Sequence, residues 1–289
     1  MIRPPWTARL ALRVRRGMGV RIGDRRVPGR PQPSGIEIES HAAYVAGDDL
    51  RHLDWNALAR LDVALVRRFV AEREGEFHLL VDLSASMDAP ARDRKLAAAR
   101  ELALALATIA LGANDAIRLV LLAGAGAVVS SVLRRGAFRE VAATLAAATA
   151  RGPGELGTAL EAHARRCPRP AVALVISDFL VDPSALARGV AALRARRYDV
   201  ALLQVIGRSE LAPPAGEGLL VDAESGVTHP VRMTPSVRDA YAAALARHQS
   251  ALADVASATQ SLHACLVADE PVPAFVTGPL AAAGLVRRR

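Results

Sequence analysis

The sequence predicts an α/β fold: a doubly wound, mostly parallel sheet with helices on both faces, preceded by an N-terminal accessory segment. Three observations lead there. From residue 77 onward, short apolar runs alternate with longer stretches whose apolar residues recur at helical spacing, the pattern of strands joined by crossover helices. The runs Leu79-Leu80-Val81 and Val172-Ala173-Leu174-Val175-Ile176 are continuously apolar rather than alternating, as burial on both sheet faces requires. Hydrophobic residues make up 52% of the 289 residues, enough for a sizeable core and too many for global disorder.

Taken in order, residues 1–34 are rich in Arg, Gly and Pro without sustained periodicity, which predicts a basic arm, flexible or extended. Residues 35–76 form the accessory segment. There Ile36, Ile38 and Tyr44 indicate extended structure and Gly47-Asp48-Asp49 a turn, while Leu50, Leu53, Ala57, Leu58 and Leu61 fall at the spacing of a short amphipathic helix. Val63, Leu65 and Phe69 suggest another extended piece. Residues 77–289 make the main domain, with strands expected over 77–83, 117–123, 127–133, 171–177 and 200–206 and helices over 95–111, 137–150 and 183–197. The helix at 95–111 is apolar almost all round and therefore central. A small hairpin pairs 218–221 with 227–233 across Glu224-Ser225-Gly226. Thr234-Pro235 then opens a long helix, with Thr as cap and Pro in the first position, and 262–267 adds a last strand.

Composition excludes several classes. The longest nearly uninterrupted apolar stretch, 102–113, is shorter than the roughly 20 residues that cross a bilayer. No apolar block follows the N-terminal arginines as it would in a secretory signal. A soluble, cytoplasmic protein without membrane insertion is expected. Cys167 and Cys265 are the only cysteines and lack a zinc-ligand spacing, so both are expected reduced. The net charge of +8 raises the question of nucleic acid. Lys95 is the only lysine, however, and alanine is everywhere, which points to codon bias as the source of the arginines. Aromatics are only 3%, leaving few platforms for bases to stack on, so a nucleic-acid partner is not expected.

The chemistry concentrates in Asp82-Leu83-Ser84-Ala85-Ser86-Met87, at the carboxyl end of the first strand of the main domain, the edge where open α/β sheets bind ligands. Positions 82, 84 and 86 have period two, so in an extended turn their oxygens point the same way. Thr158, in the glycine-rich loop Gly154-Glu155-Leu156-Gly157-Thr158, and Asp178, directly after a strand, are expected to reach the same edge. Two carboxylates and three hydroxyls are hard oxygen ligands and favour magnesium, or manganese or calcium, over zinc. With the hydroxyls bound directly and one or both aspartates acting through water, the ion stays electrophilic and keeps one position open. A Glu or Asp of a partner protein would complete its shell. The competing reading has these residues cap helices and close turns.

Asp82-x-Ser84-x-Ser86 with Thr158 and Asp178 downstream resembles the metal-ion-dependent adhesion site of von Willebrand factor A (vWA) domains. Upstream, Tyr44-Val45-Ala46-Gly47-Asp48-Asp49-Leu50-Arg51-His52-Leu53-Asp54-Trp55, then Ala59-Arg60, is similar to the signature of the domain-of-unknown-function family 58, which carries a vWA-like domain just after it. The resemblance covers about residues 35 to 289. It implies a divalent cation, a protein partner, and work beside a MoxR-type AAA+ ATPase in assembling or maturing protein complexes. Within the signature, Asp48, Asp49, Arg51, Asp54, Trp55 and Arg60 have two readings. They form a structural network, with aspartates capping, Trp55 packing on the domain and the arginines pairing with carboxylates, or a second partner-binding face.

Enzyme motifs are missing. The glycine-rich loop at 152–158 lacks the Gly-Lys-Ser/Thr ending that holds phosphates, no G-x-S-x-G elbow occurs, and the seven histidines show no H-E-x-x-H spacing. His78 is expected half-buried on the first strand. A metal-dependent hydrolase is the alternative, because a bound ion activates water, but Asp82 and Asp178 leave no obvious general base. A nucleic-acid-binding module, resting on charge alone, is a further alternative. The expectation is an interaction module rather than an enzyme.

Overall fold

In the computed structural model, which describes residues 4–13, 38–45, 50, 53–69, 76–124, 126–129 and 131–288, the runs read as strands gather into one six-stranded sheet. The described residues fall into two units, 38–69 and 4–13 with 76–288.

The chain opens with a 3-10 turn, Pro5–Arg9, and strand β1 (Leu10–Leu12). The smaller unit holds β2 (Ile38–Ala43), α1 (Trp55–Leu61) and β3 (Leu65–Phe69), with β2 and β3 antiparallel. The larger unit continues with β4 (Glu76–Asp82), α2 (Lys95–Gly112), β5 (Ala116–Ala123), β6 (Gly126–Val129), α3 (Phe138–Ala147) and α4 (Leu156–Arg166). Next come β7 (Val172–Ser177), α5 (Pro183–Ala195), β8 (Asp199–Ile206), α6 (Arg208–Leu211), β9 (Gly216–Val221), β10 (Thr228–Met233) and α7 (Pro235–Ala258). β11 (Leu262–Val267), α8 (Val272–Thr277), α9 (Pro279–Ala282) and β12 (Val286–Arg288) complete it.

The sheet order is β11-β8-β7-β4-β5-β6. Its first five strands run parallel and β6 pairs antiparallel with β5. From β4 the chain winds to β5 and β6 on one side, then returns to β7 on the other. The winding therefore reverses at β4, and the crevice that such a reversal opens lies at the carboxyl ends of β4 and β7.

The faces of β4 explain its sequence. Leu79 and Val81 join a core with Leu102 and Leu106 of α2, Val141 of α3 and Phe275 of α8. Leu80 joins the opposite core with Leu160 of α4, Leu186 and Val190 of α5 and Leu252 of α7. Neither face meets water, so no polar residue alternates along the run. α2 is buried on nearly every side, from Lys95 to Leu111, as its uniform apolarity requires. No helix among the described residues is long and apolar enough to cross a membrane.

Three expectations change. Part of the arm expected over 1–34 is core: Leu10 and Leu12 are buried in the α2-side cluster, and β1 pairs antiparallel with β12 from the far end of the chain. An apolar run of three residues shows no period, and its strand partner lies in the last few residues of the sequence. Residues 14–34 lie outside the described residues. The helix expected from Leu50 starts only at Trp55, because Asp54 is its cap, accepting hydrogen bonds from the N–H groups of Asn56 and Ala57 at 3.1 Å each. The strand expected to reach residue 133 ends its ladder at Val129, and Leu133 makes an isolated bridge to Ile117.

Helices α4 and α5 touch backbone to backbone at two glycines. A Cβ on Gly157 would sit 2.4 Å from the carbonyl oxygen of Ala185, and one on Gly189 2.7 Å from that of Gly157. Gly157→Ala must push α5 away and is expected to cost about 1–3 kcal/mol, as overpacking does. Urea denaturation checks this; an unchanged midpoint would mean the helices can part freely.

Candidate metal centre

Asp82 ends β4 at the reversal crevice and is only 4% exposed. Its carboxylate is held from two sides. The Ser177 hydroxyl donates to Oδ2 at 2.6 Å and the Ser84 N–H donates to Oδ1 at 2.9 Å. The chain then enters a 3-10 turn, Ala85–Asp88, rather than staying extended as the period-two reading assumed. The turn brings the hydroxyls of buried Ser84 and half-buried Ser86 within 3.0 Å of each other.

The loop between α3 and α4 docks against this turn. Arg151 donates its N–H to the Leu83 carbonyl at 2.8 Å, and Ala85 donates to that of Gly152 at 3.0 Å. Gly154 passes so near that a Cβ there would lie 3.3 Å from Ser84 Cβ and 3.0 Å from Glu224 Oε1. Glu224, in the β9–β10 turn, accepts the Gly154 N–H at 3.0 Å. Thr158 follows on the first turn of α4 with its side chain exposed. Among the described residues no hydrogen bond joins its hydroxyl to Asp82, Ser84 or Ser86.

Asp178, 2% exposed, follows β7. Its Oδ1 accepts from the Leu180 N–H at 3.1 Å, and its carbonyl accepts from Gln204 Nε2 at 3.0 Å. Ser177 links the two aspartates' strands, accepting the Phe179 N–H at 2.9 Å while donating to Asp82. The structure therefore assembles Asp82, Ser84 and Ser86, sets Asp178 close behind, and leaves Thr158 exposed on α4 without a hydrogen bond to that group among the described residues.

One functional residue escaped the motif reading. Lys95, 1% exposed, donates to Asp178 Oδ2 at 2.9 Å and also pairs with Glu210. Glu210 in turn accepts the Gly207 N–H at 2.7 Å, and its carbonyl accepts from the Tyr241 hydroxyl of α7 at 2.7 Å. One ammonium thus ties α2, the end of β7, α6 and α7 together. The signal was in the sequence: the sole lysine of an arginine-rich chain.

Electrostatics follow from burial. Burial, reinforced by the neighbouring Asp178 charge, raises the Asp82 pKa above the usual carboxylate range despite the hydrogen bonds from Ser177 and Ser84. Ionising Asp82 is therefore unfavourable in the fold, so stability declines as pH rises through that raised value unless a cation compensates. Burial pulls the Lys95 pKa down, but Asp178 and Glu210 outweigh it and the net shift is upward. The ammonium persists at neutral pH, and what the pair contributes is lost only as pH rises through the elevated value. In formal charges, Asp82, Asp178 and Glu210 against Lys95 leave two negative charges, which one divalent cation neutralises.

The donor set fits such a cation. In a magnesium octahedron with bonds of about 2.0–2.1 Å, neighbouring oxygens lie about 3 Å apart, and the Ser84 and Ser86 hydroxyls stand at 3.0 Å. These two would bind directly and Asp82 through water. Asp178 is shared with Lys95, which reduces its pull on the ion.

The signature cluster is divided. Asp54 caps α1, Trp55 is 62% exposed, and Arg60 is exposed. Asp48, Asp49 and Arg51 lie outside the described residues.

Fold and motif together define a vWA-like α/β domain, with D-x-S-x-S where the winding reverses. The sequence pattern of the family described as Protein of unknown function DUF58 matches residues 40–251, and the chain belongs to that family. Two relatives, from Mycobacterium tuberculosis and Mycobacterium bovis and each named only as an uncharacterized protein, are 35% identical over 231 residues, covering 77% of this chain and 70% of theirs. Similar solved structures include BatB from Bacteroides thetaiotaomicron, with a TM-score of 0.48 at 16% identity over 73% of this chain and 98% of that one. The SpRpn10 VWA domain gives 0.42 at 11% identity over 71% and 94% of the two chains. Manganese-loaded Plasmodium vivax TRAP gives 0.33 at 15% over 47% and 58%.

Lys95→Met would strand the Asp178 and Glu210 carboxylates without their buried partner and is expected to cost about 3–5 kcal/mol of stability. Urea denaturation at neutral pH measures this, and a loss under about 1 kcal/mol would show that the pair is not what joins α2 to α6.

Proposed function

We propose that the chain is a metal-dependent protein-binding module and not an enzyme. The observation that carries this reading is the Ser84–Ser86 hydroxyl pair, 3.0 Å apart in front of the buried Asp82 carboxylate. Magnesium held there, or manganese or calcium, has neutral direct ligands and keeps its attraction for a further anion. A Glu or Asp side chain of a partner protein supplies that anion, and Thr158 is the further hydroxyl this reading assigns to the ion.

The surroundings suit a protein partner. The β9–β10 hairpin, whose Glu224 touches the loop at Gly154, exposes Leu219, Leu220, Val221 and Val227 at 50% or more. Apolar side chains grouped beside a polar centre are what protein interfaces bury. The site also offers little for hydrolysis. Asp82 is held by Ser177 and the Ser84 N–H, and Asp178 is paired with Lys95, so both carboxylates already have binding or structural roles, and a general base would have to be a further group. The family resemblance points to a MoxR-type AAA+ ATPase as the partner, in assembling or maturing a protein complex, with the work done in the cytoplasm.

The test is the affinity of the purified chain for the MoxR-type ATPase of the same genome, in magnesium and in chelator. Chelation, Asp82→Ala, and the milder Ser86→Ala are each expected to weaken binding at least about tenfold, or 1.4 kcal/mol. Binding indifferent to chelator and to both substitutions contradicts the metal-mediated reading, and metal-dependent turnover abolished by Asp82→Ala would replace it with a hydrolase.

A further inference from the structure

At the opposite, amino end of β4, His78 of the strand meets His163 from the last turn of α4 and Cys167, the residue that caps that helix. Their ligand atoms all lie within 4.8 Å of one another. His78 Nδ1 faces His163 Nε2 at 2.7 Å, both rings are 3% exposed or less, and Cys167 is half-buried. The sequence reading expected His78 half-buried; it is inside the α4-side layer, between the strand and the helix. Spacing concealed the group because one ligand is a strand residue, one lies in a helix and one sits just past that helix's end, where the Cys167 N–H bonds the His163 carbonyl at 2.9 Å.

We infer that His78, His163 and Cys167 form a second metal site, selective for a borderline transition-metal ion, zinc first. Two imidazoles and a thiol are the donors that prefer zinc over the hard ions suited to the serine site. Three protein ligands leave a fourth tetrahedral position for water.

The protons point the same way. Glu76 Oε1 can only accept, so His78 directs its Nε2–H to it at 3.0 Å and presents a bare Nδ1 toward His163. Arg118 donates to the same oxygen, with Nη2 at 3.2 Å. A carboxylate behind a histidine that faces a metal is the arrangement that orients ligands and strengthens them. The Tyr198 hydroxyl gives its proton to the Cys167 carbonyl at 2.7 Å, leaving none for His78 Nδ1. The proton in the 2.7 Å contact therefore belongs to His163 Nε2, which donates to His78 Nδ1; an ion entering between the two nitrogens displaces it to His163 Nδ1, which is buried with no hydrogen-bond partner among the described residues. Zinc with Zn–N bonds of about 2.0–2.1 Å sets its nitrogens about 3.3 Å apart, so the rings separate by roughly 0.6 Å and the Cys167 thiol closes in from within 4.8 Å.

The experiment is cobalt and zinc titration of the chelator-treated full chain. One equivalent of cobalt is expected to give an intense near-ultraviolet thiolate-to-cobalt band that zinc displaces. The band should vanish in Cys167→Ser but remain in Cys265→Ser and in Asp82→Ala. Glu76→Gln, which keeps all three ligands, is expected to weaken zinc binding roughly 10- to 100-fold and guards against a Cys167 variant that fails to fold, with circular dichroism reporting the fold of each. Absence of the band in the wild type, or a band that survives Cys167→Ser, overturns the assignment.

Discussion

Two aspartates at the ends of β4 and β7 place negative charge where there is almost no water, and the carboxyl edge of the sheet is arranged to satisfy them. Taking a carboxylate out of water costs several kcal/mol unless it is paired or hydrogen-bonded. The fold answers differently at each one. Asp178 receives a full positive charge from Lys95. Asp82 receives only dipoles, from Ser177 and the Ser84 N–H. The imbalance leaves Asp82 behind two serine hydroxyls with its charge incompletely compensated, which is the condition for attracting a cation.

Much of this was legible in the residues. Continuous apolar runs in β4 and β7 revealed burial on both faces, and the alternation with helices revealed the doubly wound sheet. The acidic, serine-rich turn after β4 marked the crevice. Other features depended on contacts that no local window contains. β1 is core only because β12 returns beside it. The hydroxyls of Ser84 and Ser86 meet through a 3-10 turn that period-two reasoning did not anticipate. Lys95 looked like the first residue of an apolar helix, and its partners lie 83 and 115 positions away.

The central strand has a different chemistry at each end. Its carboxyl end gathers hard oxygens, and its amino end, at His78 with the α4 residues, gathers nitrogen and sulfur. Ions of different softness sort between such donor sets. Both ends depend on α4, whose first turn carries Thr158, whose last carries His163 and whose C-terminal cap is Cys167. Gly157 and Gly189 bring that helix against α5, so one packing contact helps position both groups.

The central claim is that the serine pair at the carboxyl end of β4 holds a divalent cation. Crystals of the chain grown in manganese, with anomalous diffraction data, test it most directly. The account predicts an anomalous peak in direct contact with the hydroxyls of Ser84 and Ser86, with Asp82 reaching it through water and Lys95 still bound to Asp178. Manganese sites elsewhere, with the two serines still hydrogen-bonded only to each other, would contradict it.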